Sequence, residues 1–128
     1  MSTLVAQTIS NGTVSTSSAN VIQGCAKAWV TFNGTTTPGT INASYNVSSV
    51  SRDSTGVYTV SFTNALSDAN YSVCMSSTGP SGVQYFMTVN STTNGGSPAN
   101  KTTTAITIRN TGAPGQADGA SVSFVAFR

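Results

Sequence analysis

The sequence contains no histidine, no glutamate and only three aspartates, Asp53, Asp68 and Asp118. Without histidine, a Ser-His-Asp or Cys-His arrangement for nucleophilic catalysis is excluded. Carboxylate-pair cleavage of a glycoside would have to draw on those three Asp, and each sits in a turn-like stretch where Asp ordinarily accepts backbone N–H bonds. The sequence therefore predicts no catalytic residue within a single chain; an active site shared between copies is the one arrangement left open. The two cysteines, Cys25 and Cys74, are isolated. They do not make a zinc spacing, and no cluster of oxygen ligands suits calcium, so no metal or cofactor is expected. Both thiols are expected to be buried in adjacent strands, with a disulfide as the lesser alternative. No glycine-rich phosphate loop opens a helix. The five bases, Lys27, Arg52, Lys101, Arg109 and Arg128, are scattered, which gives no stripe for nucleic acid. No run of about 18 apolar residues exists, so no membrane insertion is expected. No base precedes Lys27 and no long apolar segment lies near the start, which predicts synthesis without a secretory signal.

What the chain does have is uncharged polarity. Charged residues make up 6% of it, against roughly a quarter in ordinary globular domains. Ser, Thr and Asn together supply 52 of its 128 residues. Low charge with many β-formers argues against a disordered tail. The length suits one domain with one hydrophobic core. The Asn-x-Ser/Thr triplets follow from this composition and are not read as glycosylation sites.

Period-two alternation is the dominant pattern, and it places every second side chain on one face of a strand. In the first strand, read as Val21 to Phe32, Ala26, Ala28, Val30 and Phe32 share one face and Lys27, Trp29 and Thr31 the other. In the second, Ile41, Ala43, Tyr45 and Val47 share a face. In the third, Tyr58, Val60 and Phe62 do, and in the fourth Tyr71, Val73 and Met75. The five-residue turn Arg52 to Gly56 predicts a hairpin between the second and third. Val83 to Asn90 is a fifth strand, with Phe86 opposite Val83, Tyr85, Met87 and Val89. Thr102 to Asn110 is a sixth, with Ile106 and Ile108 inward. Ser121 to Arg128 is the last, apolar on both faces and so either central or covered by another copy. No helix of any length is expected, because no i, i+3, i+4, i+7 apolar set runs over three turns. Seven or eight short strands at roughly 10-residue spacing predict an all-β fold, an antiparallel β-sandwich with a jelly-roll-like variant as the alternative. Residues 1–20 read as a polar N-terminal arm and 21–128 as the domain.

Four blocks of this sequence resemble a β-domain that recurs at the ends of bacteriophage tail fibres and related virion proteins. They are Ala-Trp-Val-x-Phe-Asn-Gly at Ala28–Gly34, Asn-Val-Ser-Ser at Asn46–Ser49, Gly-x-Tyr-x-Val-x-Phe at Gly56–Phe62 and Asp-Ala-Asn-Tyr at Asp68–Tyr71. The resemblance covers about 50 residues well. It implies a virion role without a particular chemistry, and it implies a homotrimer, since fibre domains are commonly threefold.

Two functions from different classes follow. The first is a tail-fibre or tail-tip adhesin that binds a host-surface glycan through loops on a rigid scaffold. The loops expected to carry it are Ser91–Lys101, Thr111–Ala120 and Ser77–Gly82, with Asn94, Asn100, Lys101, Gln116 and Asp118 as candidate hydrogen-bonding residues. The second is a structural virion protein, such as a capsid decoration, head fibre or tail adaptor, joined to other virion proteins through the arm. Trp29, Phe86, Val125 and Phe127 are surplus apolar residues expected at an interface between copies. Trp29 alternatively reads as a platform for stacking a sugar ring.

Overall fold

The computed structural model describes residues 5–90, 100–112 and 115–128. It is mostly β and antiparallel, with one short helix. An N-terminal hairpin pairs β1 (Thr8–Ser10) with β2 (Ser15–Ser17) and leads into α1 (Ser18–Gly24). The main strands follow: β3 (Ala26–Asn33), β4 (Thr40–Tyr45), β5 (Val47–Ser54), β6 (Val57–Phe62), β7 (Ser72–Thr78), β8 (Gln84–Val89), β9 (Ala105–Gly112), the two-residue β10 (Gly115–Gln116) and β11 (Ser121–Phe127). Eight of them form one path, β4-β3-β11-β7-β8-β9-β6-β5, and β10 pairs with β9. Antiparallel β structure is as expected, but the two layers are halves of one sheet. At the corner between them, β7 and β8 share only Ser77–Tyr85 and Thr78–Gln84 as partners. The edge strands β4 and β5 then approach each other, and Gly39 N donates to Val50 O at 3.1 Å. The sheet is thus rolled nearly closed, like a barrel.

Inward positions of every main strand fill the interior. Ala28, Val30 and Phe32 of β3, and Val122, Phe124 and Ala126 of β11, face Tyr58, Val60 and Phe62 of β6 and Ile106 and Ile108 of β9. Aromatic rings join the halves: Phe32 meets Tyr58 edge-on at 5.2 Å, and Phe62 stacks on Phe124 at 6.3 Å. Burying each such side chain contributes about 1.5–3 kcal/mol, which is what holds a sheet with so few charges.

Four expectations are corrected. The first strand does not begin at Val21, because residues 18–24 are helical. Ser17 caps the helix by accepting from Asn20 N at 3.2 Å, and Cys25 N closes it on Val21 O at 3.1 Å. Seven residues are too few to display a three-turn apolar pattern. The second strand is two strands, because Asn46 takes a left-handed conformation (φ 56°) and turns the chain from β4 into β5. Within β4, the register slips so that Phe32 pairs with Ile41 but Thr31 with Ala43. This bulge spends one extra residue and reverses the face. Ile41 therefore packs on the core while Ala43 and Tyr45 point outward. The turn expected over Arg52 to Gly56 is tighter: β5 runs to Ser54, and Thr55-Gly56 alone make the reversal. Finally, both thiols are free and exposed. Cys25 lies just past the helix and Cys74 on the outside of β7, and β11 separates β3 from β7.

Candidate functional site

Strand directions divide the loops between two ends. The end where α1 enters, here proximal, also holds the β4–β5 junction, the 63–71 connection, the flanks Asn90 and Asn100 of the segment before β9, and Arg128. The opposite, distal end gathers the β3–β4 turn, Thr55-Gly56, residues 79–83 and the connection from β9 to β11. Two of the three loops expected to bind ligand, Ser77–Gly82 and Thr111–Ala120, converge there. The third, Ser91–Lys101, has both flanks at the proximal end. Asn94 lies outside the described residues.

The distal end is built on Asp118. Its Oδ1 accepts from Arg52 Nε at 2.9 Å, Gly56 N at 2.9 Å and Tyr58 OH at 3.2 Å, and its Oδ2 accepts from Arg52 Nη2 at 2.7 Å. The bidentate pairing is the strong arrangement for guanidinium and carboxylate. The Arg52 guanidinium beside it holds the Asp118 carboxyl below the usual carboxylate range, despite partial burial. Tyr58 OH in turn accepts from Gly119 N at 3.0 Å, and burial pushes the Tyr58 phenol up to about 12. Asn110 adds two bonds, from its N to Gly56 O and from Nδ2 to Ala117 O, both 2.7 Å. The packing is close enough to require glycine: a Cβ on Gly56, which has φ +67°, would lie 2.7 Å from Asn110 O. Asp118 is therefore a latch that fixes residues 117–119 on the barrel, and its oxygens are occupied by the protein itself. Sequence reasoning named Asp118 but missed Arg52 and Tyr58, because partners some 60 residues apart leave no local pattern.

What remains for a ligand at this end is a hydroxyl and amide surface. Thr37, Thr55, Gln84, Thr111 and Gln116 are exposed. The Gln116 amide, oriented to satisfy both neighbours, donates to Thr55 O and accepts from Arg109 Nε, each at 3.2 Å. The distal half carries two Arg (Arg52, Arg109) and two Asp (Asp53, Asp118), so its charges cancel. The proximal half carries Lys27, Lys101 and Arg128 against Asp68 alone.

Two further sequence candidates have structural partners at the proximal end. Asn100 Nδ2 donates to Asn90 O, and Lys101 Nζ donates to Tyr71 O at 2.8 Å while lying 4.8 Å from the centre of the Tyr71 ring. Burial pushes the Tyr71 phenol up to about 12, and its OH donates to Thr102 O at 3.1 Å. Asp68 is paired with Arg128, whose guanidinium holds the carboxyl below its ordinary range. Beside them, Lys27, Asn46, Leu66 and Arg128 line a shallow depression of about 270 Å³. Asp53 accepts from Ser51 Oγ at 2.7 Å and Thr59 Oγ1 at 2.6 Å. Among the described residues no group of three or more His, Cys, Asp or Glu could hold a metal ion.

The interface candidates divide between two faces. Register sets Tyr45, Trp29, Val125 and Cys74 side by side across β4, β3, β11 and β7 on the outside of the sheet. Phe127 shares that face. Trp29, Val125 and Phe127 are half-buried, whereas Tyr45 is 58% exposed. Sequence reasoning placed Tyr45 inward, and the bulge in β4 is the reason it is not. Phe86, 74% exposed, stands apart on β8 opposite Thr111.

No family model, curated protein or solved structure matches this chain.

Proposed function

We propose that this chain is a bacteriophage virion protein, a tail-fibre or tail-tip-like module that recognises a host-surface glycan through its distal end. The observation that carries this reading is the distal end itself. Four connections converge there, Asp118 ties two of them, the Thr55-Gly56 turn and the segment before β11, to a rigid barrel, and the end presents hydroxyls and amides with charges that cancel. A neutral glycan is recognised by such groups, and function commonly resides on loops held by a rigid scaffold. In this reading the three Asp are structural and the protein is not an enzyme. It takes no cofactor, and it engages neither nucleic acid nor membrane.

The resemblance to virion domains supports the scaffold more than the site. Gly34 of its first block lies under the Tyr58 ring of its third, and a Cβ there would sit 2.4 Å from the Tyr58 oxygen. Asn46 of the second block donates to Lys27 O at 3.0 Å and Asn64 O at 3.1 Å. Tyr71 of the fourth meets Phe62 of the third at 5.9 Å. Val47 of the second block pairs with Phe62 of the third, so the four blocks are packing partners in one barrel. The outer face of Tyr45, Trp29 and Val125 supports self-association, and the resemblance to fibre domains makes a homotrimer the expected form. The virion is the location this reading assigns.

A second reading, a structural virion protein such as a capsid decoration, head fibre or tail adaptor, is favoured by residues 5–24, which stand off the barrel with their apolar side chains exposed. Sedimentation separates the two. The first reading expects the purified protein to pellet with intact host cells in the absence of other virion proteins. Retention only on assembled particles, lost when residues 1–20 are deleted, would establish the second.

A further inference from the structure

We infer that Asn11-Gly12 is a site of spontaneous covalent modification, where the Asn11 side-chain amide is lost through a cyclic imide, while the matching pair Asn33-Gly34 in the barrel is protected. The inference is independent of the proposed function. In the reaction Gly12 N attacks Asn11 Cγ. A C–N bond forms between them, solvent base takes the Gly12 amide proton, and the side-chain nitrogen leaves as ammonia. Water then opens the imide at either carbonyl, which leaves aspartate or its β-linked isomer. Nothing is oxidised or reduced. Glycine hinders the attack least of all residues, because it has no Cβ beside the attacking nitrogen.

The chain supplies its own comparison. Among the described residues Asn-Gly occurs at 11–12 and at 33–34, and Asn94-Gly95 lies outside them. The two electrophiles are alike. Asn11 Oδ1 accepts from Thr13 N at 3.0 Å and Val14 N at 2.8 Å. Asn33 Oδ1 accepts from Thr35 N at 2.9 Å and Thr35 Oγ1 at 2.7 Å. Donors so placed stabilise the negative charge that develops on the oxygen as the amide is attacked. The nucleophiles differ. Gly12 is exposed, with φ +91° and nothing within 4 Å of where a Cβ would sit, and its N donates to the exposed Ser10 Oγ at 3.0 Å. Gly34 is buried, its N donates to Gly119 O at 2.9 Å, and its Cα is covered by the Tyr58 ring. Gly12 can rotate toward Asn11 Cγ by loosening a hairpin of three residues per strand, a unit that is marginal by itself in water. Gly34 can do so only when the distal end of the barrel opens, which costs a large share of the global stability.

The product changes the arm and leaves the barrel as it is. Residues 5–24 contain no charged side chain, so aspartate at position 11 gives this segment its first. The β-linked isomer also routes the main chain through the former side chain, and so removes the Asx-type cap on Thr13 N and Val14 N.

The test is tryptic mapping by tandem mass spectrometry after the full-length protein has stood in mildly alkaline buffer, native or in urea. Cleavage after Lys27 and Arg52 puts Asn11 in peptide 1–27 and Asn33 in peptide 28–52. In the native protein Asn11 is expected to convert at least ~10-fold faster than Asn33. In urea the two rates should converge, since both pairs are then Asn-Gly in an open chain. Asn11→Gln, whose longer side chain closes a less favourable ring, should leave peptide 1–27 unconverted and the main thermal transition unchanged. Equal native rates at the two sites would overturn the inference, as would an Asn11 that converts only in urea. Conversion within peptide 1–27 that survives Asn11→Gln would overturn it too.

Discussion

At the scale of single residues, the distal end depends on one carboxylate making four hydrogen bonds. Asp118→Asn removes the charge from the pair with Arg52 and leaves a half-buried guanidinium without its counter-ion. Hydrogen bonds to charged groups contribute about 1.5–3 kcal/mol, so this variant is expected to lose about 2 kcal/mol in urea unfolding. Tyr58→Phe removes the acceptor for Gly119 N and the donor to Asp118, and should cost about 1 kcal/mol by the same measurement. The pH dependence has a definite sign. The Asp118 carboxyl lies below its ordinary value of 3.8 in the folded protein, so folding favours the ionised form. Its contribution is complete above about pH 4 and is lost as pH falls through the lowered value. Wild-type stability should therefore drop more steeply than that of Asp118→Asn below about pH 4, as read from melting temperature against pH.

At the scale of elements, Asn46 decides how β4 becomes β5. Its side chain donates to Lys27 O and Asn64 O and accepts from Asn64 N at 2.8 Å, while its backbone takes a positive φ. Asn46→Gly keeps the backbone and loses the bonds; Asn46→Ala loses both. Since a non-glycine residue in that region costs roughly 1–2 kcal/mol, Asn46→Ala should be the less stable of the two by about 1 kcal/mol in denaturant unfolding. Much of the element pattern was legible. The inward sets Ala28–Val30–Phe32, Tyr58–Val60–Phe62, Ile106–Ile108 and Val122–Phe124–Ala126 follow from alternation alone, because each lies in a strand paired on both sides. Alternation failed where a local event outweighed it. The extra residue in β4 turned Tyr45 outward, and a cap at Ser17 made a helix of residues that alternate poorly. The site was less legible than the fold. A polar loop residue looks the same whether it is free or bonded, and Asn100, Lys101 and Asp118 proved to be bonded to their own chain. Gln116 alone of the described candidates stays exposed, and its amide too is bonded, to Thr55 O and Arg109 Nε. The latch itself is a contact between β5, β6 and the connection before β11, which no window of sequence contains.

At the scale of the molecule, the barrel has two ends with different chemistry. The proximal end has an excess of bases and carries the arm. The distal end is neutral and rich in hydroxyls. Under the proposed function, the distal end meets the host surface and the proximal end faces the particle. The measurement that tests this most directly is adsorption of the purified protein to intact host cells, comparing wild type with the triple variant Thr37→Ala, Thr55→Ala, Gln116→Ala. These side chains are exposed at the distal end and none belongs to the core; Thr55 Oγ1 accepts from Arg52 Nη2 and the Gln116 amide bridges Thr55 O and Arg109 Nε, so only a small drop in melting temperature is expected, and binding is compared well below both transitions. The triple variant is expected to bind cells at least ~10-fold more weakly, a loss of roughly 1.4 kcal/mol. Cell binding that is unchanged in this variant would contradict it.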